Sequence, residues 1–303
     1  METALILVRW GQYLGAAGLF GGALFLSRQP VNPDGAGERR LLFRSAVLLV
    51  GFTLAALVVQ AANMAGHTRP VVDAPMIGMV MTGTSFGYSV AVRLATTSAA
   101  LLLLLAPATI VRLRVVTALG AAATASLAWG GHGAADEGWR RFVHLATDVV
   151  HLLAAGLWIG ALAALTAVVL DPRVRFDPSG SWRAYRALDG FSGAGTLAVG
   201  LLVATGLVNG WFLIGPAHFT ALVTTRYGRV LIAKLALFAM MAGLAAANRW
   251  RLTPRLGVAL SSHAPTGRAL DRLRRSVLWE TTLAAAVLAL VAWLGTLEPP
   301  TSG

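Results

Sequence analysis

The stretch HLATDVVHLLAAGLWIG, residues 144–160, decides the fold class. It belongs to an apolar segment running from about residue 142 to 170, longer than the roughly 20 residues that carry a helix across a bilayer. Its first half nevertheless holds His144, Asp148 and His151. At helical spacing i, i+4 and i+7 these three share one stripe. Polar groups at membrane depth are costly unless they turn toward other helices or a water-filled cavity. The stretch therefore predicts a membrane-spanning helix that belongs to a bundle and carries chemistry on its inward face.

The rest of the chain agrees. Its 303 residues are 56% hydrophobic and 13% charged, with a mean hydropathy of +0.69, whereas a soluble domain carries about a quarter charged residues. Eight membrane-length segments can be read: about 5–26, 42–62, 86–106, 112–131, 142–170, 189–213, 228–248 and 277–296. Period-two alternation is missing, which speaks against a barrel. The first segment does not read as a cleaved signal, because Glu2 stands where a basic flank belongs and the apolar run exceeds a signal core. The expected architecture is an all-α integral membrane protein, a bundle of eight transmembrane helices forming a single membrane domain over residues 1–303.

Arginine gives the orientation. Of 25 basic residues, seventeen fall in four alternate connections: Arg28, Arg39, Arg40 and Arg44; Arg112 and Arg114; Arg173, Arg175, Arg183 and Arg186; and seven between Arg249 and Arg275. The other connections hold only Arg69, Arg140, Arg141, Arg226 and Arg229. By the positive-inside rule the arginine-rich loops face the cytoplasm, so both termini are expected on the outer, periplasmic side. The net charge of +12 then reflects topology, helped by contact with anionic membrane lipid, and no nucleic-acid module accompanies it. Neither a phosphate-binding Gly-rich loop nor a Ser-His-Asp or paired-carboxylate constellation is present, so the chain does not read as an enzyme or an ATP-driven pump.

Given that orientation, the soft and borderline metal ligands collect on one side. His67, His132, His144, His151 and His218 lie in outer loops or outer helix halves, and only His263 lies inside. Four of the six methionines after the initiator, Met64, Met76, Met79 and Met81, fall within one outer connection. Imidazole and thioether suit copper, Cu(I) above all. The chain has no cysteine, so the site needs no thiol and tolerates an oxidising compartment. Arg9, Gln12, Gln60, Asn63, Arg93 and Asn209 occupy the outer halves of their helices, and Asp148 and Lys234 lie at similar depth, where they could pair. One outer-facing polar cavity would account for all of them. Plainer roles stand beside these: gap-filling for Met76, Met79 and Met81, a structural ion pair for Asp148 and Lys234, and close packing for Trp158 and Gly160. At the inner end, Arg249 is expected to pair with Glu280.

Five passages carry a resemblance: GGHGAAD (130–136), DVVHLLAAGLWIGAL (148–162), FSGAGTLAVGLLVATGLVNGW (191–211), TTRYGRVLIAKLALFAMMAGLAAANRWRLTPRL (224–256) and LRRSVLWETTLAAAVLALVAWLGTLEPP (273–300). Together they resemble the copper-resistance protein D (CopD) family of bacterial inner-membrane proteins, most strongly over residues 120–303 and more loosely through VRWGQYLGAAGLFGGALF (8–25). The resemblance implies copper uptake across the cytoplasmic membrane, beside a separate periplasmic CopC-like copper-binding protein. It carries a metal role to His132 and His151. His144, Met64 and His67 are candidate ligands on chemistry and topology alone, with Asp148, Lys234, Arg93 and Asn209 as supporting or pathway residues. Two other readings remain: a haem b protein using His132 with His144 or His151 as axial ligands, and a copper-homeostasis factor that does not transport.

Overall fold

A computed structural model describes residues 1–29, 36–107, 109–130, 138–171, 174, 177–215, 220–262 and 265–300. His132, His218 and His263 lie outside these residues. In chain order the helices are α1 (Glu2–Ser27), α2 (Ala36–Met64), α3 (Ala74–Gly83), α4 (Ser85–Leu105) and α5 (Ile110–Ala125), which tightens into a 3-10 turn over Ser126–Gly130. There follow α6 (Gly138–Leu170), α7 (Pro178–Leu213), the single turn α8 (Ala221–Thr224), α9 (Arg226–Ala247), a π-helical turn over Asn248–Leu252, α10 (Thr253–Ser261) and α11 (Gly267–Leu294).

Helix α1 is central because its glycines let four neighbours reach it. It packs against α2, α5, α6 and α11. A Cβ on Gly15 would meet the Leu49 amide nitrogen of α2 at 2.8 Å, and one on Gly21 would meet the Cα of Gly160 in α6 at 2.9 Å. A Cβ on Gly120 of α5 would meet the Phe20 Cα at 2.9 Å. Such small-residue seams let membrane helices gain dispersion contacts that lipid would otherwise supply. Arg9, Gln12 and five glycines also dilute the apolarity of α1. Seven helical stretches among the described residues are long and apolar enough to cross a membrane, namely Gly37–Met64, Ser85–Leu105, Ile110–Gly130, Gly138–Leu170, Ser179–Leu213, Arg226–Ser261 and Gly267–Leu294, and α1 is not among them.

Helix starts follow their caps. The side chains of Thr84, Thr109 and Thr225 accept from the amides of Gly87, Arg112 and Gly228, opening α4, α5 and α9. Asp177 does the same for α7 through Ser179, whose hydroxyl and amide together hold the exposed Asp177 carboxyl below its ordinary value. Helix α2 ends in a Schellman turn: Gly66 takes φ +76°, the His67 amide donates to Ala62 O at 2.9 Å, and the Gly66 amide to Asn63 O at 3.1 Å.

Two features extend past the apolar segments. Helix α11 begins ten residues before residue 277, because Leu270 and Leu273 keep a buried face going while Arg268, Arg272 and Arg275 of the same turns stay exposed. Within the second connection, Asp73 caps the short helix α3 by accepting from the Met76 amide at 3.0 Å. Pro254 has no amide proton to return to the preceding turn, and the backbone just before it widens into the π turn.

Both ends of the chain meet at one end of the bundle. The Arg9 guanidinium donates to Gly295 O, and Arg226 lies 3.8 Å from Glu2. Helix α2 runs antiparallel to α1, with Gly11 of α1 beside Phe52 and Gly22 beside Leu42, so Met64 and His67 come to this same end.

Candidate functional site

Helices α6 and α7 pack side by side, and the polar stripe of α6 faces three residues of α7 in register. On α6 they are His144, Asp148 and His151; on α7, read in the opposite direction, they are Phe212, Asn209 and Thr205. The His144 ring stacks on Phe212 with centroids 4.9 Å apart and planes 8° apart. Asn209 donates through Nδ2 to Asp148 Oδ1 at 2.7 Å. His151 Nδ1 lies 2.8 Å from Thr205 Oγ1. These are three rungs between two antiparallel stripes, each with spacing i, i+4, i+7 or its mirror. His144 is the most enclosed, at 2% exposure; Asp148 Oδ2 lies 3.9 Å from His144 Nε2, an electrostatic contact rather than a hydrogen bond.

The third rung fixes a tautomer. Thr205 Oγ1 lies 2.6 Å from the carbonyl of Leu201, which can only accept. The single hydroxyl proton therefore goes to Leu201, and the hydroxyl must accept from His151 Nδ1–H. That leaves the Nε2 lone pair of a neutral imidazole for a ligand, the arrangement in which a metal-binding histidine is oriented by its other nitrogen. Gly206 lies beside the ring: a Cβ there would make an ordinary van der Waals contact with His151 Cε1 at 3.8 Å. Lys234 of α9, half-buried, lies within electrostatic range of both Asp148 and His151.

The other expected residues are distributed differently. Met64 and Met79 are exposed, whereas Met76 and Met81 pack on Leu57, Ala61, Val80 and Val90. His67 Nε2 lies 3.6 Å from Asp73 Oδ2, so this imidazole sits beside the cap of α3. Arg93 is 2% exposed and donates from Nε to Ser126 Oγ and from Nη2 to Ser126 O, each at 3.1 Å. It lines a separate cleft with Arg9, Gln12 and Gln60, to which neither Asp148, Asn209 nor Lys234 contributes. The polar layer read from the sequence is thus divided between two places. Among the described residues, no three His, Asp or Glu side chains gather closely enough to hold a metal ion.

A third polar locus lies farther along the α6 stripe. Glu280, 3% exposed, accepts from Asn248 Nδ2 at 2.8 Å, and both line a mainly apolar pocket of about 170 Å³ with Trp158 and Phe191. Arg249 is not the partner of Glu280. Its guanidinium donates to Ser192 O at 2.8 Å and to Thr196 Oγ1, because the π turn rotates Asn248 inward and sends the next side chain toward α7. Thr205 and Phe212 were not singled out from the sequence, although their signal was present: they flank Asn209 at i−4 and i+3.

These features define a multi-pass α-helical membrane protein whose candidate site is a strip of imidazole and carboxylate between two helices. Residues 1–142 match the family model described as copper resistance protein D-like, N-terminal domain, and residues 185–294 match that described as copper resistance protein D. The chain is 37% identical over 307 residues to the copper resistance protein D of Pseudomonas syringae pv. tomato, covering 99% of this chain and 98% of that one. It belongs to the copper resistance protein D family. It is also 32% identical over 175 residues to the inner membrane protein YebZ of Escherichia coli strain K12, covering 57% of this chain and 55% of YebZ. The copper transport protein CutJ of Bacillus subtilis strain 168 is 34% identical over 119 residues, which are 39% of this chain and 21% of CutJ. No solved structure matches.

Proposed function

We propose that this chain takes up copper across the bacterial cytoplasmic membrane, with the α6–α7 strip as its route. The observation that supports this most directly is the His151–Thr205–Leu201 relay, which presents a neutral Nε2 lone pair at membrane depth. Imidazole is a good copper ligand, and an unliganded histidine there would be an expensive side chain. His144 lies seven residues, about 10 Å, closer to the end where the termini meet. His132 precedes α6 in the sequence, twelve residues before His144. Its chain distance suits it to share copper with His144 first, His151 being 13 residues into the helix, about 20 Å along it. Exposed Met64 and His67 stand at the same end, where a separate periplasmic copper-binding protein of the CopC kind would deliver the ion.

We read α1 as an eighth crossing and the whole chain as one membrane domain. Seven crossings would leave the termini on opposite sides, yet Arg9 bonds Gly295 O and Arg226 approaches Glu2. At 26 residues α1 is about 39 Å long, enough to span, and its polarity is turned inward. Reporter fusions after residues 35, 180 and 265 should therefore report cytoplasm, and those after 72 and 135 the outside. A reversed pair would overturn the sidedness.

The test of the function is metal and haem analysis of the purified protein together with copper accumulation by vesicles that contain it. Copper bound without haem, and accumulation driven from the periplasmic face, is the expected result. A Soret band at stoichiometric haem would overturn it in favour of axial ligation by His132 with His144 or His151; copper bound without accumulation would leave a homeostasis factor.

A further inference from the structure

The cleft bordered by α1, α2, α4 and the 3-10 turn after α5 has no part in the α6–α7 strip, and its charge is one-sided. It measures about 360 Å³, within the size range of ligand sites. Arg9 and Arg93 both line it, and no Asp or Glu among the described residues does. Neither guanidinium is within salt-bridge distance of a carboxylate in the described residues. Arg93 is 2% exposed and spends Nε and Nη2 on Ser126 and Ser89, which leaves Nη1 outside these bonds. Arg9 uses its two terminal nitrogens on the carbonyls of Gly295 and Gly130, the latter also part of the cleft wall. Each arginine lies seven or eight residues into its helix, about 11 to 12 Å from the end where the chain termini meet. A buried cation at that depth is retained where it pairs or lines a pathway. Its neighbours Gln12, Tyr13 and Gln60 supply neutral polar groups and no compensating charge.

We propose that this cleft binds an oxyanion, a phosphate group held by Nη1 of Arg93 and the field of Arg9. Guanidinium matches phosphate geometry and stays charged when water is excluded. The phosphate belongs either to a lipid headgroup entering from the outer leaflet or to free inorganic phosphate.

Calorimetric titration of the full-length protein in detergent with inorganic phosphate, and native mass spectrometry after exchange into phosphatidylglycerol, test the site and separate the two sources. Saturable phosphate binding without retained lipid identifies the free anion; retained phosphatidylglycerol that blocks phosphate identifies the headgroup. In either case Arg93→Gln should weaken binding at least ~10-fold, and Arg93→Lys less, since the charge stays while the guanidinium's bonds to Ser126 and Ser89, which position it, are lost. Gln60→Glu places a carboxylate in the cleft wall; it should raise the melting temperature and abolish binding, which keeps the test alive if Arg93→Gln does not fold. Absence of binding by both probes, or equal binding by wild type, Arg93→Gln and Gln60→Glu, would overturn the proposal.

Discussion

Replacing His151 by Ala is expected to remove high-affinity copper binding while the protein still inserts and folds. The imidazole is half-buried and its one described hydrogen bond is to Thr205, so the change deletes a ligand without opening a large cavity. The sharper result concerns Thr205, which touches no metal in this reading. Thr205→Val keeps the shape and removes the acceptor for Nδ1–H, so the imidazole loses its orientation and its preference for a free Nε2. A loss of ~10 to 100-fold in copper affinity is expected, the range for removing such a supporting bond. Thr205→Ser restores the hydroxyl and should restore most of the affinity. Competition titrations with a Cu(I) chelator read all three. Copper binding by His151→Ala equal to the parent, with only a lower melting temperature, would make this histidine a packing residue.

The largest effect on folding is expected at Gly160. A Cβ there would strike the carbonyl of Ala17, and would lie 2.7 Å from Gly21 Cα and 2.8 Å from Gly22 N. All three are backbone atoms of α1, which cannot swing aside as a side chain can. Gly160→Val should cost about 3 kcal/mol or more, at or above the upper end of overpacking effects, because α1 and α6 must separate along the whole seam. Gly243→Ala is the control: no atom lies within 4 Å of its Cβ position, so a change of less than about 1 kcal/mol, in the stabilising direction, is expected. Thermal unfolding in one detergent compares them. Equal melting temperatures for Gly160→Val and wild type would mean the seam does not hold the bundle together.

Much of this architecture is written locally in the chain. The membrane class, the helix positions and the stripe His144–Asp148–His151 follow from apolar run length and a spacing of three and four, quantities that need no neighbour to be known. The arginine asymmetry supports an orientation for the same reason, since each loop is counted by itself. Helix α1 marks the edge of that legibility. Its glycines and Arg9 lower its apolarity, and only the packing of α2, α5, α6 and α11 around it explains why they are there.

What the tertiary structure decided was partnership. Sequence depth placed Arg93 and Asp148 in one layer, but depth is a single coordinate and says nothing of position around the bundle; the fold puts Arg93 on Ser126 and Asp148 on Asn209. Arg249 and Glu280 likewise share a depth, and the π turn before Pro254 gives Glu280 to Asn248 instead. The role of Thr205 depends on two distances, to His151 and to Leu201. Residues 54 positions apart can be matched in register only after α6 and α7 have packed, because a helical pattern fixes which side chains share a face and leaves open which face of another helix they meet.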